Sequence, residues 1–333
     1  MKSALKVGAL PLVVGLALFA AACGGMGRAD FEVWVTDQSG TAGTLYTYDG
    51  KDLIDRAEKA VPQVIDLGGA VSTLCQQQTG SAPTRAHMLL FNASNSQAIL
   101  SYVATGHVVF MDAATRTPVA CIDVGEQAHQ AFPAPNESYV VVANQNGKKL
   151  HRIKTNYSTN TFTLDTAGTL DLAACTTPSG AACQDATLRP DNAPICSVID
   201  STSRLVFVTL RGGGMFVVDG TTTPMTIIAE YDKASVHPNG FGCGGMEIEG
   251  KMFINSGGAT KGKPRGSDLY GFALSGLPAT GFNSPNTPAP SVIFSKDVGD
   301  HDSHMMLSTA PHGSRDRGFI WVEDRFRQRD RGH

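Results

Sequence analysis

The sequence predicts an all-β protein built from repeated four-stranded sheets, a β-propeller, on three observations. Segments rich in Val, Ile, Phe and Tyr recur with turn residues between them. After residue 30 no stretch carries a sustained helical period. Neighbouring segments also repeat one order: a strand opening on a polar residue, a turn, a strongly apolar strand, a short turn, a strand ending near Asp, then another strand. The 333 residues, 42% hydrophobic and 17% charged, suffice for a well-buried core. A formal net charge of -3, with no interior run of Lys or Arg, supplies no electrostatic footprint for nucleic acid, so that partner is not expected. The late Arg325, Arg327, Arg329 and Arg331 alternate with Asp324 and Asp330 and read as a solvated loop.

Taken in order, the chain opens with a secretory signal over residues 1–22. Lys2 and Lys6 precede an uncharged apolar run from Val7 to Ala22, too short for a membrane span. The run closes as Phe19-Ala20-Ala21-Ala22-Cys23-Gly24-Gly25, which resembles a bacterial lipoprotein signal. That resemblance implies acylation of Cys23, a flexible tether over residues 23–30, attachment to a membrane, and residence in the periplasm or on the outer surface. Plain cleavage after the alanines is the alternative. With Cys23 set aside, Cys75, Cys121, Cys175, Cys183, Cys196 and Cys243 remain, an even number suited to disulfides in an oxidising compartment. Cys175 and Cys183 bracket a Thr-Thr-Pro-Ser-Gly-Ala-Ala loop and form the first expected pair.

Residues 31–333 read as a single propeller domain. The clearest repeat runs from His87 through Ala98 to Val103, His107 to Asp112 and Pro118 to Gly125, a blade-sized unit of four strands. The next opens at His129 and continues with Pro135-Asn136-Glu137-Ser138-Tyr139-Val140-Val141-Val142-Ala143-Asn144, then Lys149 to Ile153. Its turn and strand resemble the signature of YVTN-type propellers, with Asn136 and Glu137 standing where that signature has Asp-Gly. A third repeat runs from Cys196 through Arg204 to Thr209, Met215 to Asp219 and Met225 to Tyr231, and a looser fourth covers His237 to Gly299.

Both ends depart from the pattern. Residues 31–68 begin directly on an apolar strand, Phe31 to Asp37, so the first blade lacks its innermost strand. The last unit offers only His304 to Thr309 and Phe319 to Asp324. Six blades are countable and a seventh would need residues beyond His333, so the expectation is a ring truncated at the C-terminus of a seven-bladed parent or closed in an unconventional way.

Aligned on their second strands, the blades set His87, His129, Cys196, Cys243 and His304 at the start of each first strand. Such strands line the channel of a propeller, so these side chains are expected to converge on one mouth. His237 lies in the approach to Cys243, and Asp302 shares a strand face with His304 by the two-residue alternation. Imidazole and thiolate suit copper or zinc. The structural alternative is that the histidines tie strands together and that Cys196 with Cys243 forms a disulfide between blades. His107, His151 and His312 fall on other strands or loops and read as structural. No Gly-x-Ser-x-Gly elbow, His-Glu-x-x-His helix or Cys-x-x-Cys-His haem motif occurs. Two readings follow: a cell-envelope binding or scaffold protein holding a protein, small molecule or metal ion at the channel mouth, or a copper-dependent periplasmic oxidoreductase or metal chaperone.

Overall fold

A computed structural model describes residues 31–238, 242–256, 267–277, 285–296, 303–308, 312–313, 315 and 320–324. Every sheet is an antiparallel meander in sequence order. The first holds β1 (Glu32–Asp37), β2 (Thr44–Asp49) and β3 (Gln63–Asp66). The second holds β4 (Ala86–Phe91), β5 (Gln97–Tyr102), β6 (His107–Asp112) and β7 (Thr117–Asp123). In the third are β8 (Ala128–Pro133), β9 (Tyr139–Asn144), β10 (Lys149–Asn156) and β11 (Thr161–Asp171). The fourth comprises β12 (Pro194–Ile199), β13 (Leu205–Leu210), β14 (Met215–Asp219) and β15 (Thr226–Tyr231). The fifth comprises β16 (Gly245–Ile248), β17 (Lys251–Ser256), β18 (Ser267–Ala273) and β19 (Ser291–Lys296), and β20 (Ser303–Ser308) pairs with β21 (Ile320–Asp324). These are the blades of a propeller, and among the described residues no strand of one blade pairs with a strand of another.

The core lies between successive blades, which explains the near-continuous apolar strands. Along β9, Val140 and Val142 pack towards the second blade with Ile99, Val108 and Phe110, while Val141 and Ala143 pack towards the fourth with Val206, Val208 and Phe216. On β13 the same alternation sends Phe207 to the fifth blade with Met252 and Phe272. A strand buried on both faces has no polar face to alternate with, so the period of two vanishes from its sequence.

Blade-to-blade equivalence extends to the turns. Asn95, Glu137 and Ser203, each before the second strand of its blade, adopt positive φ of 54°, 60° and 61°. This is the left-handed region that glycine occupies at little cost. Glu137 offsets the conformation with its side chain, whose Oε1 accepts from Asn92 Nδ2 at 2.9 Å and from Ser94 N at 2.7 Å on the second blade.

Among the described residues the first sheet has three strands and no innermost one, as the sequence indicates. Thr36 on β1 donates to His87 O at 3.1 Å just as Ser101 on β5 donates to His129 O at 3.0 Å, so β1 corresponds to a second strand. Leu67 N likewise reaches Gly43 O at 3.2 Å where Val124 N reaches Gly106 O at 3.0 Å. Val33 and Val35 on β1 are 37% and 45% exposed.

The expectation of no helix is corrected at two places: α1 (Gly50–Arg56) and α2 (Ala70–Thr79). Asp49 caps α1 by accepting from Lys51 N at 2.7 Å, and Gly80, at φ +83°, ends α2. α2 buries only Val71 and Cys75, one turn apart, and so carries too narrow an apolar stripe to register as amphipathic. A covalent bond holds it instead, the Cys75–Cys121 disulfide to β7. Gln78 adds a hydrogen bond, accepting from Cys121 N at 2.7 Å.

Candidate metal centre

The site starts from a backbone irregularity. Register shifts fall between Ala86 and Met88 on β4, between Ala128 and Gln130 on β8, and between Pro194 and Cys196 on β12. The extra residues are His87, His129 and Ile195. A bulge removes one residue from the ladder and re-aims its side chain. Cys196 therefore stands one residue beyond the histidine position, level with Met88 and Gln130, whereas the sequence alignment sets it level with His87 and His129. β20 shifts register between Ser303 and Met306, across His304. The His304 side chain lies outside the described residues, as do Asp302 and Cys23.

Three blades deliver donors to one point. A nitrogen of His129 and the sulfurs of Cys196 and Cys243 lie within 4.8 Å of one another, and all three residues are buried. Cys196 and Cys243 are joined as a disulfide with Cα atoms 5.1 Å apart. His129 Nδ1 is 3.9 Å from Cys196 Sγ, and Met88 Sδ is 3.8 Å from Cys243 Sγ. Ile195 packs with the three sulfur-bearing residues and completes the apolar side of the cluster.

His87 stands behind His129 and is half-buried. Its ring meets that of His129 edge to face at a centroid distance of 4.5 Å, and its Nδ1 hydrogen-bonds Gln38 Nε2. Gln38 is in turn fixed by Arg85, which donates to Oε1 at 3.1 Å. The glycines around Cys243 permit the close approach. A Cβ on Gly244 would sit 2.8 Å from Met306 Cβ, and one on Gly242 would strike the Asn255 carbonyl.

His237 takes a different place. It is fully buried at φ +62° in the wall between the fourth and fifth blades, against Tyr270 with ring centroids 5.5 Å apart. Its Nε2 donates to Asn255 O at 3.1 Å, and burial pushes its pKa down to about 4, leaving a neutral imidazole. His107 is held by Thr79, Ser81 and Thr105 at 2.9–3.2 Å, and His151 by Thr169 at 3.1 Å. His312 bridges blades: its Nε2 donates to Ile199 O at 2.7 Å and its Nδ1 accepts from Glu247 N at 3.1 Å.

The donor set is soft and contains no carboxylate. With the disulfide closed, the available ligands are the His129 imidazole and the Met88 thioether. Reduction adds two thiolates, the form in which cysteine ligates metals. Met88 and Gln38 escape sequence reasoning because neither belongs to a motif. The bulge at His87 sets the following methionine against Cys196 and Cys243, and a bulge leaves no sequence mark in this strand.

A cavity of about 760 Å³ lies away from this cluster, beside the first blade, between Trp34, Phe91 and Lys51.

No protein-family model matches the chain, and no curated protein matches it. Solved structures do. A protein from Lactobacillus plantarum is similar with a TM-score of 0.51 and 11% identity, over 80% of this chain and 68% of that one. A putative 6-phosphogluconolactonase from Bacteroides uniformis ATCC 8492 gives a TM-score of 0.51 at 8% identity, over 80% of this chain and 69% of that one. The chain spans about two thirds of the length of these two structures. At these identities the likeness is one of fold, and it agrees with the propeller built above from strand order and register.

Proposed function

We propose that this chain is a binding protein of the bacterial cell envelope, exported by residues 1–22, held at a membrane through lipid on Cys23, and holding a soft metal ion at its channel mouth. The single observation that carries the reading is the convergence of His129, Cys196 and Cys243 within 4.8 Å from three separate blades. Copper and zinc both accept imidazole and thiolate, and the site lacks the oxygen donors that magnesium or calcium requires. The disulfides Cys75–Cys121, Cys175–Cys183 and Cys196–Cys243 fit the oxidising compartment that export implies. A rigid ring of sheets also suits recognition, because it fixes side chains distant in sequence around a common opening.

The test is metal titration of protein kept under a phosphine reductant without oxygen, followed by gel filtration and elemental analysis. Copper or zinc at near one ion per chain is expected, falling to traces in His129→Ala. Trace metal in the unsubstituted protein overturns the reading.

A further inference from the structure

We propose that the Cys196–Cys243 disulfide is a redox gate on a copper(I) site whose ligands are the Cys196 and Cys243 thiolates, His129 Nδ1 and the Met88 thioether. This rests on the reading of the channel mouth as a soft-metal site and adds the ion's identity, its fourth ligand and its control. Of the three disulfides, this pair alone belongs to a metal-capable group among the described residues. Cys196 Sγ already stands 3.9 Å from His129 Nδ1, and Cys243 Sγ stands 3.8 Å from Met88 Sδ. Those separations are close to the edges of a tetrahedron, about 3.6–3.8 Å, built from metal–nitrogen and metal–sulfur bonds of about 2.0–2.3 Å.

Opening the gate needs one local movement. The two sulfurs must part from a covalent bond of about 2.0 Å to roughly 3.8 Å. Cys243 sits between Gly242 and Gly244, so the two residues flanking the moving thiolate have no side chains to displace. The thioether favours copper(I): methionine sulfur is a soft, neutral donor that suits this ion, whereas zinc sites are built from thiolate, imidazole and carboxylate. His87 acts as a positioning residue, since its ring abuts that of His129 and is itself tied to Gln38.

The chemistry balances with a dithiol reductant as co-reactant. The dithiol gives two electrons and two protons to the Cys196–Cys243 bond, which breaks to two thiols while the reductant closes to its own disulfide. One copper(I) ion then binds both sulfurs and releases their two protons to water, leaving a thiolate pair and metal of net charge -1. Exchange with an oxidised dithiol reverses the sequence and expels the ion.

The experiment compares copper(I) uptake by the oxidised and the phosphine-reduced protein in competition with a chromophoric copper(I) chelator. Thiol alkylation and peptide mass spectrometry report which cysteines are free. Reduced protein is expected to take one copper(I) per chain and oxidised protein none. Met88→Leu, which preserves volume and the disulfide, should weaken copper(I) at least roughly tenfold and leave zinc unchanged. Equal uptake in both redox states overturns the gate while the metal site stands. Absence of uptake in either state overturns the site itself. Unaltered copper(I) affinity in Met88→Leu removes the thioether from the ligand set.

Discussion

The loop over residues 172–193 and the Cys196–Cys243 cluster each set a disulfide beside a buried nitrogen-bearing side chain, but the two surroundings differ. At the loop, Cys175–Cys183 neighbours Arg189, whose Nε donates to Cys183 O at 3.2 Å and Nη2 to Ala182 O at 3.1 Å. Arg189 also pairs with Glu230 at 3.3 Å, with both side chains at most 1% exposed, and lies over the Phe216 ring at 5.2 Å. Glu230 completes the clasp by accepting from Ser179 N at 3.0 Å. Hard charges meet hard partners there, and the arrangement holds a loop to the fourth blade. Around Cys196–Cys243 the neighbours of the disulfide are an imidazole and a thioether at 3.8–3.9 Å, contacts too long and too soft to bind strands together. Placement next to a disulfide therefore distinguishes nothing; the hardness of the surrounding donors does.

Glu230→Gln should break the loop region most severely. It leaves the Arg189 charge buried without its counter-ion, a loss of about 3–5 kcal/mol in urea unfolding. Copper(I) uptake per folded chain should not change, and a shared loss would erase the distinction between the regions.

Acid should act next. His237 has its pKa depressed to about 4 from 6.5, so the unfolded chain binds the proton more readily. The stabilisation is complete above pH 6.5 and is lost as pH falls towards 4, by about 3 kcal/mol at the limit. His151, also lowered to about 4 by burial first and by Lys149 second, adds to the same window. In His237→Asn, which tolerates the positive φ, urea midpoints measured from pH 7.5 to 4.5 should fall less steeply than in the parent. An equal slope would show that His237 is not the titrating group.

Cys175→Ser with Cys183→Ser opens a short loop and should cost about 2–3 kcal/mol by chain entropy. A smaller loss would mean that the Arg189 clasp already confines the loop without the bond. Smallest of all is Arg56→Ala. Its partner Asp52 lies 2.8 Å away on an exposed face of α1, and the change should stay within about 0.5 kcal/mol by thermal unfolding.

Much of the fold was legible because the inner strands of the second, third and fourth blades are buried on both faces. Runs such as Tyr139 to Ala143 and Leu205 to Leu210 have no amphipathic competitor, and the turns between them repeat. That the first blade has three strands among the described residues could be read from its opening directly on an apolar strand at Phe31. The helix α2 was hidden because its burial amounts to Val71 and a disulfide. At the site, the convergence of His129, Cys196 and Cys243 follows from ring topology, which the sequence expresses as spacing. Which residue of each inner strand joins the cluster depends on a bulge, and one inserted residue exchanges the two faces of a strand. That is why Cys196 and Ile195 trade places between reading and structure, why Met88 carries no signal, and why His237 lies in the blade wall, fixed there by Asn255 and Tyr270.

The measurement that tests the central claim most directly is X-ray absorption at the copper edge of reduced, copper(I)-loaded protein. A first shell dominated by sulfur, with one imidazole nitrogen and one fewer sulfur in Met88→Leu, is the predicted result. A shell of nitrogen and oxygen alone, unchanged by Met88→Leu or His129→Ala, would contradict it.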